Sequence, residues 1–276
     1  MYEDVLTTEE RYGLTLRTLW HSHGYQHKRM TRFEDYDYYA GKKDFLTSSA
    51  ILTFTDTNGK LKALRPDVTL SLIRRASAGK YYYDEKVYRV SENTARWSEI
   101  PQAGIECIGD LHVNELVEVA NLALMSLHEL SGGRDYLLDV ADAGCVSDLL
   151  TGNDCGDLLK CLQDKNIHGL KALNAPKKLL HMASLDGSIA SGLEFLGTEC
   201  RHVVSALNDA HIRIDFSTVS NLKYYNGLVL KGYIEGIPRA VLSGGQYDNM
   251  MRIAGNSMRG AGFAVYLGRI AGDYGD

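Results

Sequence analysis

The chain is predicted to be an α+β protein built on a mainly antiparallel sheet. Three observations carry this. Asn58-Gly59 separates two strand-like segments, 51–55 and 60–64, and is a strong short hairpin signal because both residues tolerate positive φ. Tyr81–Val90 and Glu99–Ile108 read as two further strands joined by a polar loop over 91–98. Strands and helices are interleaved, yet the strands come as hairpins rather than as repeated βαβ units.

In chain order, Thr7-Thr8-Glu9-Glu10 fits a capping box, with a Thr hydroxyl taking a free amide and Glu10 reaching back. Tyr12, Leu16, Leu19, Trp20 and His23 follow at helical spacing, and Gly24 ends the helix. Residues 25–39 are aromatic and charged and read as extended or irregular. After the hairpin, Pro66 cannot donate to a ladder and marks a strand end, and 68–76 reads as a short helix. Val113, Leu116, Val117, Ala120, Leu124 and Leu127 form one apolar helical stripe that stops at Ser131-Gly132-Gly133. Residues 137–141 read as a strand, about 145–207 as a helical insertion, and 212–219, 224–234 and 238–243 as returning strands. Ala261–Ile270 reads as a strand running into a helix.

Composition narrows the classes. The chain has 276 residues, 45% apolar and 24% charged, ordinary for a globular protein with a sizeable core. Its net charge of -5, without a Lys/Arg-rich run, disfavours a nucleic-acid partner. The cysteines, Cys107, Cys145, Cys155, Cys161 and Cys200, are odd in number and contain no Cys-x-x-Cys pair, so neither a zinc site nor a disulfide framework is expected. No apolar run approaches the roughly 20 residues of a membrane span, and the acidic N-terminus is unlike a signal peptide. The expectation is a cytoplasmic protein without cofactor or metal.

The chemistry lies in two blocks. Leu64-Arg65-Pro66-Asp67-Val68-Thr69 precedes Tyr88-Arg89 and then Glu99-Ile100-Pro101-Gln102-Ala103-Gly104-Ile105-Glu106. Near the other end stand Tyr224-Tyr225, Gly244-Gly245-Gln246-Tyr247-Asp248, and Gly262-Phe263 with Arg269. Gln102 and Glu106 share a face on a regular strand. There a carboxylate suits an ammonium or imidazolium group and an amide orients a polar ligand; the competing reading is the wet face of an ordinary strand. Arg89 and Arg96 are either anion clamps or solvated surface arginines. Tyr224 and Tyr225, on opposite faces of a strand, would put one ring in and one out. Gly244-Gly245 allows a tight turn or a close backbone approach.

Together these residues resemble the catalytic domain of class II aminoacyl-tRNA synthetases, histidyl type, over nearly the whole chain. Leu64 to Thr69 is similar to that family's Leu-Arg-Pro-Glu-x-Thr element, Tyr88 to Glu106 to its second class-defining motif, and Gly262 to Arg269 to its third. Val219-Ser220-Asn221-Leu222-Lys223-Tyr224-Tyr225 stands where the family has Val-Arg-Gly-Leu-Asp-Tyr-Tyr, and Gly244 to Asp248 where it has Gly-Gly-Arg-Tyr-Asp. The departures matter. Ser220 replaces the arginine that stabilises charge during amino-acid activation, Lys223 replaces an aspartate, Glu92 is one position late, and Ser98 replaces a loop arginine. The sequence ends soon after Arg269, so no anticodon-binding domain is expected.

This pattern is similar to the histidyl-tRNA synthetase-like regulatory subunits of ATP phosphoribosyltransferase. The resemblance implies a non-catalytic chain that pairs with a short-form catalytic subunit. It is needed for full activity and for histidine feedback in the first step of histidine biosynthesis, where ATP is joined to phosphoribosyl pyrophosphate. It also implies a homodimer within a hetero-octamer, no tRNA charging, and a histidine-type pocket of Asp67, Thr69, Arg89, Gln102, Glu106, Tyr224 and Tyr225. The dimer contact would fall within 25–55, where Tyr36, Tyr38, Tyr39 and Phe45 serve either the contact or the core. A functioning histidine-tRNA ligase and a synthetase-like paralogue with another role are the alternatives.

Overall fold

The computed structural model describes residues 5–42, 51–90, 96–150 and 155–272. Helix α1 (Thr8–Ser22) starts with the expected capping box. Thr7 Oγ1 accepts from Glu10 N at 3.2 Å, and Glu10 Oε2 accepts from Thr7 N at 2.8 Å. The stretch read as extended or irregular is extended in β1 (Gln26–His27) and β2 (Phe33–Asp35) and departs from that reading only in a short helix, α2 (Tyr36–Ala40). Its tyrosines turn inward. Tyr39 is fully buried and bonds Glu34 and Ser71, while the Tyr38 hydroxyl donates to Leu70 O at 2.7 Å. Phe45 lies outside the described residues.

Strands β3 (Thr53–Thr55) and β4 (Leu61–Leu64) pair antiparallel as the expected hairpin, with Thr53 opposite Ala63. The turn differs from expectation. Gly59 has φ +75° but Asn58 is not in the positive-φ region. Asp56 is the reason: its Oδ1 accepts from Asn58 N and Lys60 N, both at 2.8 Å, and this closes a longer loop with a single left-handed residue.

After α3 (Val68–Ile73) come the long strands β5 (Gly79–Val90) and β6 (Trp97–Gly109), antiparallel throughout with Tyr83 opposite Gly104. Residues 91–95 of the expected polar loop lie outside the described residues. Helix α4 (Val113–Ser131) ends at Gly132 in the left-handed region, φ 60°, as its sequence signal predicts. Strand β7 (Tyr136–Asp142) leads into a helical stretch: α5 (Ala143–Ser147), α6 (Cys155–Gln163), α7 (Ile167–Ala172), α8 (Lys177–Ala183), α9 (Ile189–Gly192) and α10 (Thr198–Leu207). Leu158, Leu162, Leu170, Leu179 and Val203 from these helices belong to the same core as the sheet.

The last third departs most from the expected boundaries. Strand β8 (Ile212–Ile214) is short, because Asp215 Oδ1 accepts from Ser217 N and turns 216–218 into a 3-10 helix. Strand β9 (Leu228–Ile234) begins only after the tyrosine pair, and β10 (Leu242–Gln246) starts beyond a turn at Gly236 and Pro238. Gly244 and Gly245 therefore lie inside a strand rather than at a turn. Helix α11 (Asp248–Ile253), β11 (Arg259–Tyr266) and α12 (Leu267–Ala271) complete the order.

Two sheets result. The larger has eight strands in the order β1-β5-β6-β11-β10-β9-β7-β8, antiparallel except for β1–β5 and β7–β8; the smaller is β2-β4-β3. One face of the large sheet packs on α1 and α4. Trp20 meets Phe263 edge-on at 5.9 Å and donates its indole N–H to Ser126 Oγ at 3.1 Å. Leu116, Val119, Leu127 and Leu130 are fully buried there, each contributing about 1.5–3 kcal/mol. The opposite face carries the residues in which the chemistry is concentrated.

Candidate functional site

Strand β6 shows why the site is where it is. Ala103, Ile105 and Cys107 join the helix-side core, so the period of two sends Gln102, Gly104 and Glu106 to the other face. Gln102 and Glu106 are 4% and 1% exposed, which removes the wet-strand reading. Across the ladder, Gly104 and Gly262 leave room. A Cβ on Gly104 would collide with the Tyr83 hydroxyl, and one on Gly262 with the Glu106 carboxyl. The result is a cavity of about 200 Å³, and Asp67, Thr69, Arg89, Gln102, Glu106, Tyr224 and Tyr225 all line it.

Glu106 is its deepest charge-bearing group. Thr69 Oγ1 donates to Oε1 and Tyr247 Oη to Oε2, each at 2.5 Å. Burial pushes its pKa from 4.5 up to about 8; the Thr69 and Tyr247 hydrogen bonds pull the other way, and the Asp67 charge adds to the rise. Near neutral pH this carboxyl is therefore largely protonated, and a cation entering the cavity would supply the counter-charge it lacks.

Asp67 and Arg89 form a second unit. Asp67 caps α3, with Oδ1 accepting from Leu70 N at 2.8 Å. Its Oδ2 meets Arg89 Nη2 at 3.4 Å, and Arg89 Nε donates to Pro66 O at 2.8 Å. The guanidinium is thus engaged with a carboxylate and a backbone carbonyl while Arg89 still lines the cavity. Arg96 and Arg269 do not line the cavity.

The tyrosine pair corrects the sequence reading. Tyr224 and Tyr225 sit in a turn, not on a strand, and both face the cavity, their rings 4.7 Å apart. Asn221 makes the turn: its Oδ1 accepts from Lys223 N and Tyr224 N, both at 3.1 Å, and its carbonyl accepts from Tyr224 N and Tyr225 N. Strand alternation does not apply to such a turn. Burial raises the pKa of both phenols, holding them neutral.

The sequence reading missed several lining residues: Tyr83, Ser243, Tyr247 and Tyr266. Tyr247 stands in the Gly-Gly-Gln-Tyr-Asp block, but its partner, Glu106, is 141 positions away. Tyr266 follows Gly262 and Ala264 on the same face of β11, a signal the alternation could have provided. Ser220, one of the departures from the synthetase pattern, lines the cavity as well. Among the described residues that line the cavity Arg89 is the only cation, and among the described residues no cluster of His, Cys, Asp and Glu could hold a metal. No described helix is long and apolar enough to cross a membrane. Two acids, two amides, hydroxyls and aromatic walls suit a small, polar, cationic ligand.

The antiparallel sheet, its helical backing and the pocket on its open face define a class II aminoacyl-tRNA synthetase-like domain. The chain belongs to the histidyl-tRNA synthetase family, whose model matches residues 3–270. It is 28% identical to an ATP phosphoribosyltransferase regulatory subunit of Lactococcus lactis subsp. cremoris, covering 96% of this chain and 92% of the relative. It is 28% identical to one of Caldanaerobacter subterraneus subsp. tengcongensis, covering 98% and 78%. Among solved structures it is similar to an ATP phosphoribosyltransferase regulatory subunit/histidyl-tRNA synthetase of Bacillus halodurans, with TM-score 0.82, 22% identity and coverage of 96% and 79%. It is also similar to a chain of the HisG:HisZ ATP phosphoribosyltransferase complex of Thermotoga maritima, with TM-score 0.75, 19% identity and coverage of 94% and 97%.

Proposed function

We propose that this chain is a non-catalytic regulatory subunit of ATP phosphoribosyltransferase, acting in the cytoplasm on a separate short-form catalytic chain in the first step of histidine biosynthesis. The observation that carries the reading is Ser220 in the wall of a pocket that otherwise keeps the family's acids, amide and tyrosines. A serine supplies no guanidinium for a developing phosphate charge, while the remaining groups still suit an amino acid. The names of the relatives support the same reading. The pocket residues Asp67, Thr69, Gln102, Glu106, Tyr224 and Tyr225 then serve as a histidine sensor, with Arg89 holding Asp67 in place. The assembly is a homodimer of this chain within a hetero-octamer.

Reconstitution tests this. The catalytic chain, the present chain and their mixture are assayed with ATP and phosphoribosyl pyrophosphate, with and without histidine. The expected result is full activity and histidine inhibition in the mixture only. Histidyl-tRNA formation by the present chain above a no-enzyme control, or a catalytic chain indifferent to its presence, would overturn the reading.

A further inference from the structure

Strand β11 gives the pocket lining three residues from one face. Along β11, Gly262 and Ala264 present almost no side chain to the cavity, and Tyr266, the next residue on that face, presents a full ring. Its register partner on β6 is Gln102, itself a lining residue. The Tyr266 ring is backed: the Arg269 guanidinium stacks on it at 4.0 Å, and Arg269 Nη1 is anchored on Ala240 O at 2.7 Å. Tyr266 contributes to the lining and Arg269 does not. A stacked and anchored ring is a fixed wall rather than a swinging side chain. The space it leaves, about 200 Å³, is below the range of about 300–1,000 Å³ that holds drug-sized ligands.

We infer that Tyr266 is the size-determining residue of this pocket, ending it along β11 so that it admits a ligand of about one amino acid and turns away larger ones, nucleotides included. The inference deepens the ligand-pocket part of the proposed function and rests on that reading only for the occupant's identity.

The test is independent of the occupant. Ala264→Cys places a thiol in the lining beside the wall, and labelling is followed by peptide-resolved mass spectrometry, which separates it from the native cysteines. Two reagents are compared, methyl methanethiosulfonate and a polyethylene-glycol maleimide, each normalised to its rate with free cysteine. With Tyr266 present, the small reagent should react and the large one should lag by about tenfold or more; in Ala264→Cys/Tyr266→Gly the lag should shrink to about threefold or less. Equal normalised rates with Tyr266 in place, continued exclusion of the large reagent after its removal, or no labelling by the small reagent would each overturn the inference. Protection of the Ala264→Cys thiol by histidine is measured separately. Its absence would count against histidine as the occupant, whereas the size limit set by Tyr266 stands or falls on the two labelling rates.

Discussion

The Tyr247 hydroxyl donates to the Glu106 carboxyl at 2.5 Å, joining the residue that follows β10 to the later half of β6 within the lining of the pocket. With Thr69 on the other oxygen, both acceptor positions of this buried acid are filled by neutral hydroxyls. Burial outweighs these two hydrogen bonds and holds the carboxyl's pKa up, and this has measurable consequences.

The first is a stability–pH relation. The folded pKa of Glu106 is raised from 4.5 to about 8, so the folded state holds a proton that the unfolded state releases. The contribution is fully present below about pH 4.5 and is lost as pH rises towards about 8, by on the order of a few kcal/mol. Glu106→Gln mimics the protonated acid and should flatten this slope. Urea unfolding of both proteins between about pH 5 and 9 measures it; parallel curves would show that Glu106 does not titrate in that range.

Ligand binding provides a second test. If histidine occupies the pocket, Glu106→Ala removes a charge-assisted contact of about 1.5–3 kcal/mol, and Kd should rise roughly tenfold or more. Calorimetric titration, with and without the catalytic partner, reads it directly. Unchanged affinity would place the sensor elsewhere.

Arg65 offers a larger effect without touching the pocket. Its side chain is fully buried, paired with Glu85 at 2.7 Å and bonded to Thr31 O and Lys86 O, tying the small sheet to β5. Arg65→Ala should cost about 3–5 kcal/mol, because it strands the Glu85 charge in a poorly hydrated site. Chemical denaturation measures the loss, and a loss under about 1 kcal/mol would mean that water replaces the guanidinium.

A smaller effect is expected at Asp67. Asp67→Ala removes the α3 cap and should cost about 0.5–2 kcal/mol, whereas Asp67→Asn keeps an acceptor for Leu70 N and should cost far less. Equal losses in the two variants would identify the Arg89 contact, rather than the cap, as the stabilising one.

The contrast between elements explains which parts of the fold are legible in the chain. The capping box at Thr7, the apolar stripe of α4 and the alternation in β6 are local patterns, and each lies close to where the sequence places it. The tyrosine pair departs from its expected strand because one side chain, Asn221, takes two backbone amides and breaks the strand there. The Asn58-Gly59 turn changes type for the same reason, through Asp56. Side chains that capture backbone groups compete with the ladder, and composition alone does not announce the winner.

By itself the sequence determined the α+β class and the hairpins, because these depend on spacing and residue chemistry, whereas the seven pocket residues and the missing arginine at Ser220 came from its resemblance to the synthetase family. Only the tertiary structure decided what those residues do to one another. Tyr247 reaches Glu106 from 141 positions away, Arg89 bonds Pro66 O and Asp67, and Tyr266 joins the lining of the cavity. A carboxyl's pKa, a guanidinium's availability and a pocket's length depend on burial and on distances across strands. Those distances are set when β6, β10 and β11 come together in one sheet, and no spacing along the chain contains them.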